Sequence, residues 1–259
     1  MQAAQVEYEV TAERFYPSGD TAYFRVTGQG ERETISFHRL ANDSALNLNI
    51  IAWQFARFAQ DPNESVRLVG EVADPILHFL KIVDQDRDPS EGFCAIQIKL
   101  AGLKEPAQGY RWHVDGPYFT AATGPPQPRY KYGCVLVGQP TVFLRICPVE
   151  VLRQVAACQL SNRAEVKIDG LYDPTSWSRI VDRNFELHRF VGDHPMVWAA
   201  HHGVALKWRA DFTGDIHSEP VDGSGRMFVG VICGTNEEIE EYREKVYGQP
   251  VHAAQVRFN

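Results

Sequence analysis

From Phe93 onward the chain is written in short runs of aliphatic, β-branched and aromatic residues cut apart by Gly, Pro and Asp: CAIQIKL, YRWHVD, YGCVLVG, TVFLRI, ELHRFVG, MVWAA, GVALKW and RMFVGVIC. Runs of this length favour strands over helices, and the turn residues between them favour antiparallel neighbours. Their number matches the eight strands of a double-sheet jelly roll. No alternating βα rhythm points to a doubly wound sheet, and neither a GxGxxG nor a Walker sequence is present. The expected fold is mostly β with flanking helices, arranged as a jelly roll.

At 259 residues the chain suits a single domain. Residues 1–92 read as a mixed α/β front segment packing on the core, 93–235 as the jelly-roll core, and 236–259 as a C-terminal helix and tail. Helical spacing marks Ser44 to Gln60, behind Asn42 and Asp43 as caps, and Asp74 to Val83, with Pro75 in its first turn. Pro148 to Leu160 and the acidic stretch Asn236 to Tyr247 complete the helices. The stretch Pro117 to Arg129 holds too many Pro and Gly for regular structure and is expected as a loop, with a lid over residues 116–129 as one use of it.

A hydrophobic share of 44% and a charged share of 23% suit a folded globular chain rather than a disordered one. Net charge is −7 with Lys and Arg scattered, so no footprint for a phosphate backbone exists and nucleic acid is not an expected partner. The five cysteines form no CxxC pair and read as reduced thiols. No apolar run approaches the ~18 residues of a membrane span, and the first residues lack a leader pattern, so a cytoplasmic location is expected. The oligomeric state stays open, a homodimer included.

The segment YRWHVDGPY carries the chemistry. In a strand, residues i and i+2 share a face, so His113 and Asp115 can reach one metal while Val114 points away. A third ligand has to come from a distant strand, and His217 in IHSEP is the best placed. Two imidazoles and one carboxylate on one face of an octahedron leave positions open for a chelating cosubstrate and dioxygen, which suits iron better than a closed zinc site. Arg226 opens the apolar run MFVGVIC; if it points inward, its planar fork can hold a carboxylate.

HVD, a distant His followed by Pro220, and Arg226 beyond it together resemble the iron(II)/2-oxoglutarate-dependent oxygenases. That resemblance covers roughly Phe93 to Cys233. It implies a double-stranded β-helix, iron(II) held by His113, Asp115 and His217, and 2-oxoglutarate as cosubstrate with its distal carboxylate on Arg226. It further implies that 2-oxoglutarate is oxidatively decarboxylated while a small-molecule substrate is hydroxylated, desaturated or cyclised. Asp115 fills the place where halogenating members bind halide, so chlorination is disfavoured. For a second contact to the cosubstrate Tyr130, Lys131, Tyr132 and Thr141 are in reach, with Lys131 preferred.

Each of these residues also has a plainer reading. HxD occurs by chance, and the set of four residues is the signal rather than any part of it. His201 and His202 are rival distal ligands without a following inward Arg, and His188 and His194 flank an expected strand and turn. Trp112, Tyr118, Phe119, Trp198 and Trp208 could line a substrate pocket, although aromatic residues next to strands are more often core, and Trp112 and Tyr118 gain weight from standing beside the ligands. Arg129 and Arg145 could meet an anionic substrate or make a surface salt bridge. Against an oxygenase acting on an amino-acid derivative or natural-product intermediate stand two alternatives: a cupin-like metalloenzyme that does not use 2-oxoglutarate, and a non-catalytic jelly-roll binding protein.

Overall fold

The structure, a computed structural model, describes residues 31–39, 62–101, 111–115, 118–119, 129–144, 149–165, 174–192, 197–199, 203–210, 214–219 and 226–247. In chain order the elements are β1 (Glu31–Arg39), α1 (Pro62–Asp86), β2 (Phe93–Ala101), β3 (Tyr130–Val137), β4 (Val142–Leu144), α2 (Val149–Glu165), α3 (Pro174–Gly192), β5 (Val197–Ala199), β6 (Leu206–Arg209), β7 (His217–Ser218), β8 (Arg226–Gly234) and α4 (Asn236–Tyr247). The expected helix 44–60 lies outside the described residues, as do residues 116–117 and 120–128 of the loop.

All strand pairs are antiparallel. One sheet has the order β1-β2-β8-β3-β6 and the other β5-β4-β7. A bridge between His113 and His217 adds the segment Arg111–Asp115 to the free edge of β7. From β2 the chain crosses to that segment, returns to the larger sheet at β3, crosses again to β4 and β5, and then visits β6, β7 and β8 alternately.

Period-two alternation sorts the strand residues into layers. On the larger sheet Cys94, Ile96, Ile98, Tyr132, Cys134, Met227, Val229 and Val231 face outward, onto Val72, Ile76, Phe79, Leu80 and Val83 of α1. The residues between them, Val135, Leu206, Trp208 and Phe228, face inward and meet Phe143 of the smaller sheet. The outer side of the smaller sheet presents Trp112, Val114, Val142, Leu144 and Ile216 to Val151 and Val155 of α2 and Leu187 and Val191 of α3. Thr235 and Glu238 form a capping box that starts α4: the Thr235 N–H donates to Glu238 Oε2 at 2.9 Å, and the Glu238 N–H donates to Thr235 Oγ1 at 3.3 Å. This helix lays Ile239 and Tyr242 against the inward residues Ala95 and Ile232.

The molecule is mixed α/β, with open antiparallel sheets and no closed barrel among the described residues, rather than mostly β. One reason is that ELHRFVG, expected as a strand, is the end of α3. Ile180, Asn184, Leu187 and Val191 are its buried positions, spaced by three and four, a period that a seven-residue window is too short to display. Another is that α1 begins at Pro62 and carries Pro75 in its interior, so packing of its apolar stripe on the sheet outweighs the amide hydrogen bond that proline removes. The strand β1 lies in the front segment expected as mixed α/β, where Ile35 and Phe37 alternate with Thr34, Ser36 and His38. No helix among the described residues is long and apolar enough to cross a membrane.

Gly133 is required by close approach. A Cβ there would lie 2.5 Å from Cη2 of Trp208 and 2.8 Å from Cε2 of Phe228. Gly133→Ala is therefore expected to destabilise the protein by about 1–3 kcal/mol, the usual cost of overpacking a filled core. Urea denaturation measures it, and an unchanged midpoint would show that the Trp208 ring gives way freely.

Candidate metal centre

His113, Asp115 and His217 offer ligand atoms that all lie within 4.8 Å of one another, a spacing that can hold a metal ion. His113 and His217 are a directly paired couple across the sheet edge, each N–H donating to the other's carbonyl at 2.9 Å. Both side chains consequently project from the same face, with ring centroids 4.2 Å apart. Asp115 follows two residues later on that face, and its Oδ2 lies 3.6 Å from Nε2 of His217.

The imidazoles are oriented from behind. Nδ1 of His113 lies 2.8 Å from the carbonyl of Arg111, and Nδ1 of His217 lies 3.0 Å from the carbonyl of Asp215. Each Nδ1 must donate to its carbonyl, which leaves the Nε2 lone pair for a metal. Phe143 stacks on His217 at 5.5 Å, and the Trp208 ring meets it at 5.4 Å, edge to face. Burial lowers the basicity of both imidazoles, at His113 helped by the neighbouring His217, so both are neutral near pH 7.

Burial alone would raise the Asp115 carboxyl, but the Lys131 ammonium and the neighbouring imidazoles, with a bond from Trp208, hold it well below the usual carboxylate range. Nε1 of Trp208 donates to Asp115 Oδ2 at 2.8 Å, and Nζ of Lys131 lies 3.4 Å from the same oxygen. Lys131 sits amid the rings of Tyr118, Trp208 and Phe228, each 5.5 to 5.7 Å from its Nζ. The backbone between the ligands is pinned as well. Gln159 of α2 donates from Nε2 to the Val114 carbonyl at 3.0 Å and accepts from the Val114 N–H at 3.3 Å, as a neighbouring strand would.

These groups open into a cavity of about 400 Å³. Arg226 lies in it, 6% exposed, with Nη2 donating to Thr141 Oγ1 at 2.6 Å and Nε donating to the Gln139 carbonyl at 3.2 Å. Its Nη1 is 3.7 Å from Oε1 of Glu219, which Nζ of Lys99 meets at 2.6 Å. The cavity thus joins the triad to a buried guanidinium.

Of the residues singled out from sequence, the structure brings His113, Asp115, His217, Arg226, Thr141, Lys131 and Tyr118 to this one cavity. Lys131 stands beside Asp115 rather than beside Arg226, because it pairs with Ile232 near the opposite end of β8. Tyr132 points outward, its hydroxyl donating to Asp86 at 2.8 Å. Trp112 also points away from the cavity: it is adjacent to His113, so the alternation sends it to the outer side, where Nε1 donates to His188 of α3 at 3.3 Å. Arg129 is not among the cavity's lining residues and is held by Glu91, at 2.9 Å, and Glu238. His194, His201, His202 and Arg145 lie outside the described residues.

Sequence reasoning missed Gln97, Lys99, Gln159 and Glu219, and named Trp208 only as a pocket or core aromatic without its bond to Asp115. Gln97 and Lys99 interrupt the apolar run CAIQIKL at alternate positions, and Glu219 stands two residues after His217. The period-two rule applied to HVD could have found all three. Nothing local marks Trp208 or Gln159.

Added divalent metal is expected to raise the melting temperature, because a ligand that binds only the folded chain stabilises it by mass action. His217→Ala should remove that increase, and Trp208→Phe should weaken metal affinity about ten- to hundredfold through loss of the bond to Asp115. Calorimetric titration checks both, and full affinity in His217→Ala would rule out the site. The metal-free protein should also lose stability as pH falls below the ordinary imidazole value of 6.5, since there the unfolded chain takes up protons that the buried imidazoles resist. Melting temperatures of wild type and the His113→Gln/His217→Gln double variant, measured from pH 8 to about 5, test this, with the variant expected to show the shallower decline. No protein-family model matches this chain and no curated protein matches it, so the reading of the centre rests on its geometry.

Proposed function

We propose that the protein is a non-heme iron(II)- and 2-oxoglutarate-dependent oxygenase acting on a small molecule. The observation that carries this reading is a two-histidine, one-carboxylate face sharing one cavity with a buried arginine. Such a face leaves coordination positions open, as oxygen-activating iron sites require. Among the described residues thiolate ligation, which would favour zinc, finds no support: Cys94, Cys134 and Cys233 face α1 on the far side of the larger sheet, and Cys158 packs behind the smaller one. The sheet-to-sheet alternation of the chain supports a double-stranded β-helix, since each crossing adds a strand to the opposite sheet and aims its inward residues at the same space.

When bound, iron and 2-oxoglutarate supply the oxidising chemistry, in which dioxygen is reduced, 2-oxoglutarate becomes succinate and carbon dioxide, and a substrate C–H bond is oxidised. The protein's own residues set the conditions. His113, Asp115 and His217 hold the metal, with Trp208 and Lys131 fixing the carboxylate. Arg226, kept in place by Thr141 and the Gln139 carbonyl, meets the distal carboxylate of the cosubstrate. Trp208 and Phe228 form the apolar part of the cavity's inner wall, with Phe143 packed behind them. A cavity of about 400 Å³ is at the small end of ligand sites and fits a substrate of metabolite size.

A second reading has one observation in its favour. Glu219 already lies 3.7 Å from Arg226, so the guanidinium is partly compensated without a bound dicarboxylate. A cupin-like metalloenzyme that does not use 2-oxoglutarate would have this feature.

Anaerobic addition of iron(II) and 2-oxoglutarate is expected to give a visible charge-transfer band that His217→Ala abolishes. Arg226→Lys keeps the charge but loses the fork, and should weaken 2-oxoglutarate binding more than about tenfold, in line with the roughly 1.5–3 kcal/mol of a hydrogen bond to a charged group. Metal binding without the band, or equal cosubstrate affinity in the variant, would favour the second reading.

A further inference from the structure

Five basic side chains among the described residues line the cavity, Lys99, Arg111, Lys131, Arg226 and Lys245, against two acidic ones, Asp115 and Glu219. Lys131 is satisfied by Asp115 at 3.4 Å and Lys99 by Glu219 at 2.6 Å. Arg226 is held by Thr141 and is the partner proposed above for the cosubstrate. Arg111 and Lys245 remain, and neither has an ion-pair partner among the described residues.

These two cations reach the cavity from different walls. Arg111 lies two residues before His113 on the edge of the smaller sheet, on the same inward-facing side, and its positive charge bears on the His113 imidazole. Lys245 lies in the last turn of α4, three residues after Tyr242, so both project from one side of the helix into the cavity. Both cations are exposed, which places them at the mouth, while the triad lies further in. Tyr118 and Tyr242 line the same cavity and meet edge to face at 5.4 Å, a wall suited to an apolar or aromatic body.

We propose that the substrate carries an oxyanion, a carboxylate or a phosphate, which Arg111 and Lys245 hold at the cavity mouth while its body runs along the wall formed by Tyr118 and Tyr242 toward the triad. The inference names the substrate class for the oxygenase reading and rests on it. With iron and 2-oxoglutarate bound, the two added positive and two added negative charges cancel. The excess of basic groups therefore persists and favours an anion over a neutral or cationic substrate.

The test uses the full chain loaded with manganese(II) and three probes of one shape, benzoate, phenyl phosphate and benzamide, at constant ionic strength. Binding is read as manganese-dependent broadening of probe proton resonances, and in parallel as saturation transfer to the metal-free protein. At least one anion is expected to bind and to be broadened, with benzamide unaffected, and the pair of anions distinguishes carboxylate from phosphate. Arg111→Gln/Lys245→Gln should weaken anion binding about tenfold, the effect two partly exposed charge pairs can supply together, while manganese is still bound. Equal binding of benzamide and benzoate, no binding of either anion, or undiminished binding in the double variant would overturn the proposal. Anion binding that depends on Arg111 and Lys245 in a protein that fails to take up manganese would support the anion site and count against the metal reading alone.

Discussion

Two reciprocal backbone hydrogen bonds, between His113 and His217, hold the candidate centre together. They join a segment following β2 to one preceding β8, and so convert residues remote in the chain into neighbours. In a hydrogen-bonded antiparallel pair the two side chains leave the sheet on one side, and this brings the imidazoles to a common point without distortion of either strand. The small sheet is only a few residues wide there, and its edge would otherwise leave the Val114 peptide bare. Gln159 supplies that missing neighbour from α2. The helical layer behind the sheet thereby stabilises the ligand spacing directly.

The larger sheet contributes by what it points inward. Trp208 and Lys131, paired across adjacent strands, both address Asp115, and Gly133, two residues beyond Lys131, is bare because the Trp208 ring occupies the space above it. Inserting two neutral imidazoles and one carboxylate into a half-closed space is costly unless the charge is compensated. Lys131 does this in the absence of a metal, and three aromatic faces around its ammonium soften its own desolvation. At the other end of the cavity Glu219 plays the corresponding part for Lys99 and Arg226. The cations deep in the cavity each face a carboxylate, Lys131 that of Asp115 and both Lys99 and Arg226 that of Glu219, whereas Arg111 and Lys245 at the entrance have no ion-pair partner among the described residues.

How much of this was legible depended on the length scale of the pattern. HVD reveals a shared face from three letters, and the same three letters, read one residue earlier, already place Trp112 behind the sheet. Trp112 was nonetheless expected at the pocket because proximity in sequence outweighed parity. The apolar run of β8 is buried on both faces, so periodicity alone cannot say whether Arg226 faces the interior. ELHRFVG shows the opposite limit: its strand-like composition belongs to a helix whose period emerges only over the full length of α3.

The sequence by itself determined most of the core strands, the terminal helix, the alternation that puts His113 and Asp115 together, and the identity of the groups available for chemistry. These follow from dihedral periods and side-chain types, which are properties of neighbouring residues. Tertiary structure alone decided that His217 pairs with His113, that Trp208 and not Trp112 supports the carboxylate, and that Lys99, Glu219, Arg111 and Lys245 share the cavity with the triad. Those outcomes depend on which strands become neighbours, and that choice is made by the burial of the two sheet faces as a whole, a quantity no short window of residues contains.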